Sequence, residues 1–206
     1  ATGFPSLVRQ GLQAISTMIL NQQARIYGDA AVAAMSIVSR ISFFIFAVGL
    51  GIGQGFQPVC GFNYGARKFS RVKEAFSFTL VAGEVLLGMF AVAGLLFSNQ
   101  AIAVFRDDAE VIAFGTPALR YQCMALFLNP LIVLSNMTLQ STGQRAWATF
   151  LSMMRSGLYL IPMIYILTYT MGARGIQLAQ PLSDVLSFAT ALPVIVNFIR
   201  KLPEDG

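Results

Sequence analysis

Long apolar runs separated by short polar connections dominate the hydrophobic pattern of this sequence. A helix needs about 20 apolar residues to cross the hydrocarbon core of a bilayer. Five runs reach that length, and they are residues 34–62, 75–97, 117–139, 147–170 and 176–199. The last run contains Asp184 but is otherwise long and apolar enough. The pattern therefore predicts five membrane-spanning helices.

The segment at residues 6–25 is more polar, and its periodicity is that of an amphipathic helix. The apolar stripe holds Val8, Leu12, Ile15, Met18 and Ile19, and the opposite stripe holds Gln10, Gln13, Thr17 and Asn21. Such a helix can lie at the membrane interface, border a soluble core or line a polar cavity within a bundle. The polar stripe consists of amides and hydroxyls rather than Lys or Arg, which disfavours the interface. We therefore expect a sixth, cavity-lining span.

Six spans make an all-α polytopic bundle, taken as a single unit over residues 1–206. Both chain ends then lie on one side of the membrane, and Lys and Arg indicate which side that is. Eight basic residues fall on it: Arg9, Arg67, Lys68, Arg71, Lys73, Arg145, Arg200 and Lys201. Three fall on the other side: Arg25, Arg106 and Arg174. The excess predicts a plasma (inner) membrane protein with both termini in the cytoplasm.

The longest predicted connection, residues 98–116, lies on the extracytoplasmic side. A short interfacial helix is expected within it at residues 101–105. Pro117 then opens the fourth span, where its missing N–H costs little.

Composition argues against a soluble protein. Hydrophobic residues make up 56% of the chain and charged residues only 11%, against about 25% charged in a typical soluble domain. A soluble protein with a surface so poor in charge would aggregate, whereas lipid solvates an apolar exterior. The net charge of +5 does not indicate nucleic acid, because the basic residues lie between apolar runs and not on one face with interleaved aromatics.

Residues that carry catalysis or metal binding are scarce. The chain has no histidine, and Cys60 and Cys123 lie in apolar runs outside any CxxC or Cys/His ligand set. Both cysteines are expected to be small buried hydrophobes, and we expect no metal and no cofactor. Without a Gly-rich phosphate loop or an activated nucleophile, the chain is not expected to be an enzyme. Its start at Ala1, without a signal-peptide pattern, leads us to expect missing sequence upstream.

Four glycines alternate through the second span. Gly49 with Gly53, and Gly51 with Gly55, form two GxxxG patterns on different helix faces. Such pairs permit close helix packing, whereas a glycine cluster followed by Pro58 could also let the helix bend during alternating access. Both interpretations stay open. Two amides of the same stretch also need a partner or water in the hydrocarbon region, and they are Gln54 and Gln57.

Four ionisable residues are placed well inside predicted spans, where a buried charge is expensive. They are Arg40, Glu84, Arg155 and Asp184. Depths counted at about 1.5 Å per residue favour pairing Arg40 with Asp184 and Arg155 with Glu84. Arg155 is also a rival partner for Asp184, because the fifth and sixth spans are consecutive. The pairs could be static locks, or one carboxylate could change its protonation during transport.

A specific run of residues marks the end of the second span. It reads Gly53-Gln54-Gly55-Phe56-Gln57-Pro58, then Gly61-Phe62-Asn63-Tyr64-Gly65-Ala66, before the basic loop of residues 67–73. Further matching stretches are residues 27–30, 155–162 and 180–184. Over essentially its whole length the chain thus resembles the multidrug and toxic compound extrusion (MATE) family, and most closely its MepA-like branch.

The resemblance implies the second lobe, spans seven to twelve, of a twelve-span transporter whose first lobe is missing. Family members export cationic amphipathic drugs in exchange for Na⁺ or H⁺ by rocking two lobes around a central cavity. Some members hold Na⁺ with carboxylates on spans seven and ten, but here residues 6–25 and 117–139 contain no Asp or Glu. Coupling to protons through an acid of the first lobe fits better. The implied partners are that lobe, the bilayer, small cationic drugs and H⁺ or Na⁺, and not nucleic acid.

Two alternatives to this drug antiporter stay open. A lipid-linked-sugar flippase of the same superfamily should have a more cationic cavity than Arg40 and Arg155 provide, and an incomplete or accessory six-helix protein would transport nothing by itself. The candidate substrate or ion pathway consists of Gln13, Thr17, Asn21, Arg40, Gln54, Gln57, Glu84, Tyr121, Arg155 and Asp184. The candidate hinge or packing positions are Gly49, Gly51, Gly53, Gly55 and Pro58.

Overall fold

The computed structural model describes residues 4–205, with side chains from Leu7 onward, and this part of the chain is helical without a strand. Its α-helices are α1 Phe4–Arg25, α2 Asp29–Gly65, α3 Phe69–Leu96, α4 Ser98–Phe105, α5 Ala109–Ala125, α6 Asn129–Ser141, α7 Arg145–Met153, α8 Leu160–Met171 and α9 Ala173–Arg200. A 3₁₀ turn, Leu126–Leu128, lies between α5 and α6, and a π-helical turn, Met154–Leu158, lies between α7 and α8.

Five helical stretches of the described residues are long and apolar enough to cross a membrane. They are α2, α3, Ala109–Ser141, Arg145–Met171 and α9. α1 adds a more polar helix of 22 residues, which at about 1.5 Å per residue spans about 33 Å. The predicted class, an all-α polytopic membrane protein, is confirmed, and α1 brings the long helical stretches to six.

The fourth long stretch begins earlier than the apolar run indicates. α5 starts at Ala109, where the Asp108 carboxylate accepts a hydrogen bond from the Glu110 backbone N–H at 2.9 Å. Pro117 consequently lies inside α5, so its predicted place at the opening of the span is wrong. A side-chain cap decides where a helix begins, whereas hydropathy shows only where it becomes apolar. The short helix expected in the preceding connection is present as α4.

The stretch Ala109–Ser141 forms the centre of the bundle. In an apolar window of 18 residues within it, 78% of the residues are buried, against 17% to 33% in the windows of the other apolar stretches. It contacts α2, α3 and α9. It is irregular at Leu126–Leu128, because Pro130 has no N–H to offer the Leu126 carbonyl. That carbonyl accepts from the Asn129 backbone N–H instead.

Two glycines of α2 are sites of close helix contact. A Cβ on Gly53 would lie 2.8 Å from Val133 Cγ1 of α6, and one on Gly49 would lie 3.1 Å from Leu87 Cδ1 of α3. A Cβ would have no described neighbour within 4 Å at the two other glycines of the pattern, Gly51 and Gly55. Close packing therefore explains one of the two GxxxG pairs.

Pro162 accounts for the π-helical turn before α8. It has no N–H for the carbonyl four residues earlier, that of Leu158, so a regular α-helix cannot continue through this turn. The Tyr159 N–H donates to the Met154 carbonyl at 2.9 Å, five residues back. Ser16 of α1 donates its hydroxyl to the Ser156 carbonyl at 2.8 Å. The π-helical turn is thereby joined to α1.

The last described residues return to the connection between α2 and α3. The Ser70 backbone N–H donates to Asp205 Oδ1 at 2.8 Å, and the Ser70 hydroxyl bonds to the same carboxylate. The Tyr64 and Phe198 rings, on α2 and α9, have centroids 6.3 Å apart. The basic connection of residues 67–73 and the tail after α9 therefore lie at the same end of the bundle.

Large apolar side chains cover the outer face of α3. Five of them are more than half exposed: Phe78, Val81, Val85, Met89 and Leu96. A surface of this kind suits contact with lipid rather than with water. Cys60 and Cys123 are buried and not bonded to each other, as expected of small hydrophobes.

Candidate functional site

A polar cavity lies among α1, α2, α5, α9 and the π-helical turn. Its volume is about 130 Å³. The polar part of its wall consists of Gln13, Ser16, Thr17, Ser39, Ser42, Gln122, Asn129, Arg155, Ser156, Gln177 and Gln180. Phe43 and Phe46 add aromatic surface. Amides, hydroxyls, one guanidinium and aromatic rings thus meet in one small space.

Asp184 is the buried acid next to this cavity, with 3% of its surface exposed. Its Oδ2 accepts a hydrogen bond from Gln122 Nε2, and its Oδ1 accepts one from Gln180 Nε2, both at 3.1 Å. These amides and Arg155 lie on the cavity wall, whereas Asp184 itself does not. The carboxylate is therefore screened from the cavity by its own partners.

Arg155 lies between a carboxylate and an aromatic ring. Its Nε is 3.5 Å from Asp184 Oδ1, and its Cζ is 4.3 Å from the centre of the Phe46 ring. Nε makes no hydrogen bond to any described residue. The contact with Asp184 is therefore a charge contact rather than a directed hydrogen bond.

Two further polar atoms on the wall are buried without a protein partner in the described part of the chain. They are Asn129 Oδ1 and Ser42 Oγ. Because buried polar groups almost always have hydrogen-bond partners, the wall has spare capacity to bind something polar. These polar groups are not a set of metal ligands. Among residues 4–205, no group of three His, Cys, Asp or Glu side chains could hold a metal ion.

A separate network of hydrogen-bonded side chains connects α2, α6 and α7. Gln57 Nε2 donates to Gln140 Oε1 at 3.3 Å, and Gln140 Nε2 donates to Asn136 Oδ1 at 2.6 Å. Asn136 Nδ2 then donates to the Ala148 carbonyl at 2.8 Å and to Ser152 Oγ at 2.7 Å. Gln57 is thus one link in a chain of amides that ties three helices together outside the cavity wall.

The sequence profile of the family described as MatE matches residues 5–166, more than half of the chain. The chain belongs to the MatE family. The multidrug export protein MepA of Staphylococcus saprophyticus is 24% identical over 203 residues, which are 98% of this chain and 45% of MepA. MepA of Staphylococcus aureus is 23% identical over 203 residues, with the same coverage of 98% and 45%.

Solved structures agree on the fold of the MatE chain. One is the inward-facing conformation of a multidrug resistance MATE family transporter of the MOP superfamily. Its TM-score is 0.89 at 21% sequence identity, and the match covers 97% of this chain and 47% of that one. The resemblance indicated by the second-span motif is confirmed. The MatE chain is a multi-pass membrane protein of a transporter family rather than of an enzyme family, and it spans about half the length of the relatives it matches.

Two of the three polar positions predicted to face a cavity from α1 lie on the wall. These are Gln13 and Thr17. Asn21, one turn further along, is half-buried and does not line the cavity. The amphipathic pattern of α1 thus has its polar face toward the cavity over its middle turns.

The charged residues of the MatE chain do not pair by depth. Arg40 is exposed on α2, and Arg155 rather than Arg40 contacts Asp184, so the first predicted pair is wrong. Glu84 is half-buried on α3 beside an outward-facing apolar groove, so its predicted pairing with Arg155 is wrong too. The rival pairing, Arg155 with Asp184, is the observed one. Depth alone fails because the order of packed helices and the π-helical turn decide which side chains meet.

The remaining candidates lie away from the cavity wall. Gln54 is exposed on α2, and Tyr121 is half-buried on α5. α2 is one continuous helix through its glycines and Pro58. A hinge function of these positions therefore stays a prediction.

Sequence reasoning missed three residues around Asp184. Gln122 carries the same signal as Gln57, an amide inside an apolar run, and could have been found. Gln180 lies four residues before Asp184 on one helix, where side chains are neighbours. Phe46 carries no signal, because an apolar ring in a predicted span is indistinguishable from those that face lipid.

A further ionisable residue in the predicted fourth span was also missed. Arg120 is exposed, and its Nε donates to Ser98 Oγ at 3.0 Å, which joins α5 to the start of α4. Its charge is the signal that could have found it, although it lies away from the cavity wall.

Proposed function

We propose that this chain is the second lobe of a multidrug efflux antiporter that exports cationic amphipathic compounds in exchange for H⁺. The observation that carries the proposal is Asp184, a buried carboxylate whose partners line a polar cavity that also contains Phe46. Relatives named as multidrug export proteins support the same class of activity.

The cavity offers two features that attract an amphipathic cation. The Asp184 carboxylate, directly behind the wall, provides negative charge, and the face of the Phe46 ring on the wall attracts a cation through its quadrupole. Apart from Arg155, the polar groups on the wall are uncharged amides and hydroxyls. Such groups can donate or accept in several orientations, which suits a transporter that accepts many compounds.

The size of the cavity agrees with a chain that forms one of two lobes and binds only part of the substrate. Sites for drug-sized molecules measure about 300–1,000 Å³, whereas the cavity of this lobe measures about 130 Å³. It can take the charged group of such a compound but not the whole molecule. The remainder would lie between this lobe and a first lobe. A chain that is one of two lobes agrees with a match that covers 45% of MepA.

The proposed orientation follows from the distribution of basic residues. The connection of residues 67–73, with four Lys or Arg, shares one end of the bundle with the end of α9, where Arg200 and Lys201 lie. Lys and Arg are enriched on the cytoplasmic side of membrane proteins. We place this end in the cytoplasm and the chain in the plasma (inner) membrane.

Proton coupling fits the positions of the acids better than Na⁺ coupling does. α1 contains no Asp or Glu. The acid of the stretch Ala109–Ser141 is Glu110, exposed in the first turn of α5. A Na⁺ site that uses carboxylates from these two stretches is therefore disfavoured. A flippase of anionic substrates is disfavoured too, because Asp184 already opposes the guanidinium of the wall.

The test expresses the chain with a first lobe in bacteria that lack their own efflux pumps and follows the loss of preloaded ethidium, a planar organic cation. Ethidium should leave faster than from cells without the chain, and an inward proton gradient should accelerate the export. Asp184→Asn should reduce the export, whereas the exposed Asp107→Asn should not. No faster export from cells that contain the folded protein would exclude drug export, and acceleration by Na⁺ alone would exclude proton coupling.

A further inference from the structure

We propose that Arg155 is a built-in competitor of the substrate: its guanidinium fills the position between the Phe46 ring and the Asp184 carboxylate that the cationic group of a substrate takes during transport. The inference rests on the proposed export of organic cations. It adds a specificity-determining residue and the place where the charged group binds.

The position of Arg155 has the chemistry of an organic-cation site. The guanidinium carbon lies 4.3 Å from the centre of the Phe46 ring, and Nε lies 3.5 Å from Asp184 Oδ1. A flat cation between a ring face and a carboxylate is bound by dispersion, by the ring quadrupole and by charge. A planar aromatic cation or a quaternary ammonium would find the same two contacts.

The contacts of Arg155 are loose enough for it to be displaced. Nε makes no hydrogen bond to a described residue, and 3.5 Å is longer than a charge-assisted hydrogen bond of about 2.7–2.9 Å. The side chain of Arg155 is 18% exposed, against 4% for that of Asp184. The acid is thus anchored, and its cationic neighbour is the more accessible of the two.

Asp184 does not depend on Arg155 for its position. Gln122 and Gln180 each donate an amide hydrogen bond to one carboxylate oxygen. These bonds come from α5 and α9 and do not involve the guanidinium. The carboxylate is therefore preorganised for a second cation.

Displacement of Arg155 is connected mechanically to α1. Arg155 belongs to the π-helical turn, and the carbonyl of the next residue, Ser156, accepts a hydrogen bond from Ser16 of α1. π-helical turns within α-helices frequently occur at functional sites. A displacement of the guanidinium that shifts this turn would therefore reach α1 and the wall of the cavity.

The experiment measures ethidium binding to the purified two-lobe protein in lipid nanodiscs, per folded molecule. Arg155→Gln removes the competitor and leaves Asp184 free. If Arg155 fills the site for about 90% of the time, its removal tightens ethidium binding about tenfold. A structural role alone could weaken binding but not tighten it. The exposed Arg174→Gln, which makes the same change of charge, should leave the affinity unchanged.

Four further measurements identify the site. Arg155→Gln combined with Asp184→Asn should abolish the gain, and Arg155→Gln combined with Phe46→Leu should reduce it. An uncharged amphipathic dye should not bind more tightly to Arg155→Gln. Arg155→Lys, which retains a cation but not the flat shape, should tighten binding less than Arg155→Gln and serves if the glutamine variant does not fold.

The outcomes separate the inference from the proposed function. If the unsubstituted protein exports and binds ethidium and Arg155→Gln binds it no more tightly, the competitor role is wrong while the proposed function stands. If the unsubstituted protein neither exports nor binds ethidium, the proposed function fails first. Tighter binding together with slower export by Arg155→Gln supports the inference, because nothing then drives the cation off Asp184.

Discussion

Gln122 and Asp184 join the centre of the bundle to its last helix: the Gln122 side-chain amide donates to Asp184 Oδ2 at 3.1 Å. Gln180 donates to the other oxygen at the same distance, and Arg155 adds a charge contact. The carboxylate is held from α5, from its own helix and from the π-helical turn. Loss of its charge should therefore affect stability as well as transport.

Asp184→Asn should destabilise the fold more than Glu84→Gln, the matched change of a carboxylate to an amide. The first change leaves the Arg155 guanidinium without its carboxylate, and breaking a buried pair costs about 3–5 kcal/mol in soluble proteins. We expect the lower end of that range or less, since Arg155 is 18% exposed. Glu84 is half-buried and makes no ion pair within the described residues. Unfolding in mixed detergent micelles measures both, and equal losses would contradict the assignment.

Arg155→Gln and Asp184→Asn should not be additive in stability. Once one partner is gone, removing the other relieves an uncompensated charge, so the double variant should lose less than the sum of the single losses. Residues in direct contact show interaction energies of about 0.5–3 kcal/mol in such cycles. The cycle of Arg40→Gln with Asp184→Asn is the control and should be additive, because Arg40 is exposed and unpaired among the described residues. Additive losses with Arg155→Gln and non-additive losses with Arg40→Gln would instead support the pairing of Arg40 with Asp184 predicted from depth.

Gly53→Ala should destabilise the bundle, whereas Gly55→Ala on the same helix should not. The new Cβ at Gly53 would lie 2.8 Å from Val133 Cγ1, and overpacking of this kind costs about 1–3 kcal/mol. At Gly55 a Cβ meets no described neighbour within 4 Å, and alanine should stabilise the helix by up to about 1 kcal/mol. The same unfolding measurement compares them. Equal tolerance of alanine at both positions would contradict close packing at Gly53.

The hydrophobic pattern predicted which segments are helical but not where they begin. Apolar runs identify spans because a helix that crosses lipid must be apolar over most of its length. The ends depend on single side chains, as at Asp108, which starts α5 before the apolar run begins. Likewise Pro162 produces a π-helical turn that no periodicity reveals.

The candidate site was predictable only where a residue type carries its own signal. Gln13 and Thr17 could be placed on a polar face, because an amphipathic helix has a direction. Asp184 could be singled out by its charge. Arg155 could be named as one of two partners for Asp184, because its span directly precedes that of Asp184. The contact between Gln122 and Asp184 depends on which other helices are neighbours, and that follows from packing of whole faces rather than from any one residue.

The proposed orientation predicts a labelling pattern. Single cysteines at Lys68 and Arg145 should be protected from membrane-impermeant thiol reagents in intact cells, and a cysteine at Asp108 should be labelled. Cys60 and Cys123 are buried and should give little background. Labelling of Lys68 from outside would reverse the orientation, whereas labelling at both Lys68 and Asp108 only after the cells are opened would indicate reagent exclusion and call for a smaller reagent.

The contact between Asp205 and Ser70 should make the start of α3 sensitive to acid. Hydrogen bonds from the Ser70 hydroxyl and backbone N–H lower the pKa of the Asp205 carboxyl from its ordinary value of 3.8. A carboxyl whose pKa is lower in the folded state stabilises that state above the ordinary pKa, and the stabilisation is lost as the pH falls through the lowered value. The tail contact should therefore be complete at neutral pH and lost only in strong acid.

Asp205→Asn should reproduce the acid behaviour at neutral pH. It removes the charge that the first turn of α3 attracts through its free N–H groups and dipole. Amide hydrogen exchange at residues 70–72 should become faster in this variant than in the parent chain, while Glu204→Gln, a neighbouring exposed acid, should leave the rates unchanged. The ratio of variant to parent rates cancels the intrinsic effect of pH on exchange. That ratio should fall towards one as the solution becomes strongly acidic, and a ratio that stays constant with pH would show that the Asp205 charge does not hold the tail on α3.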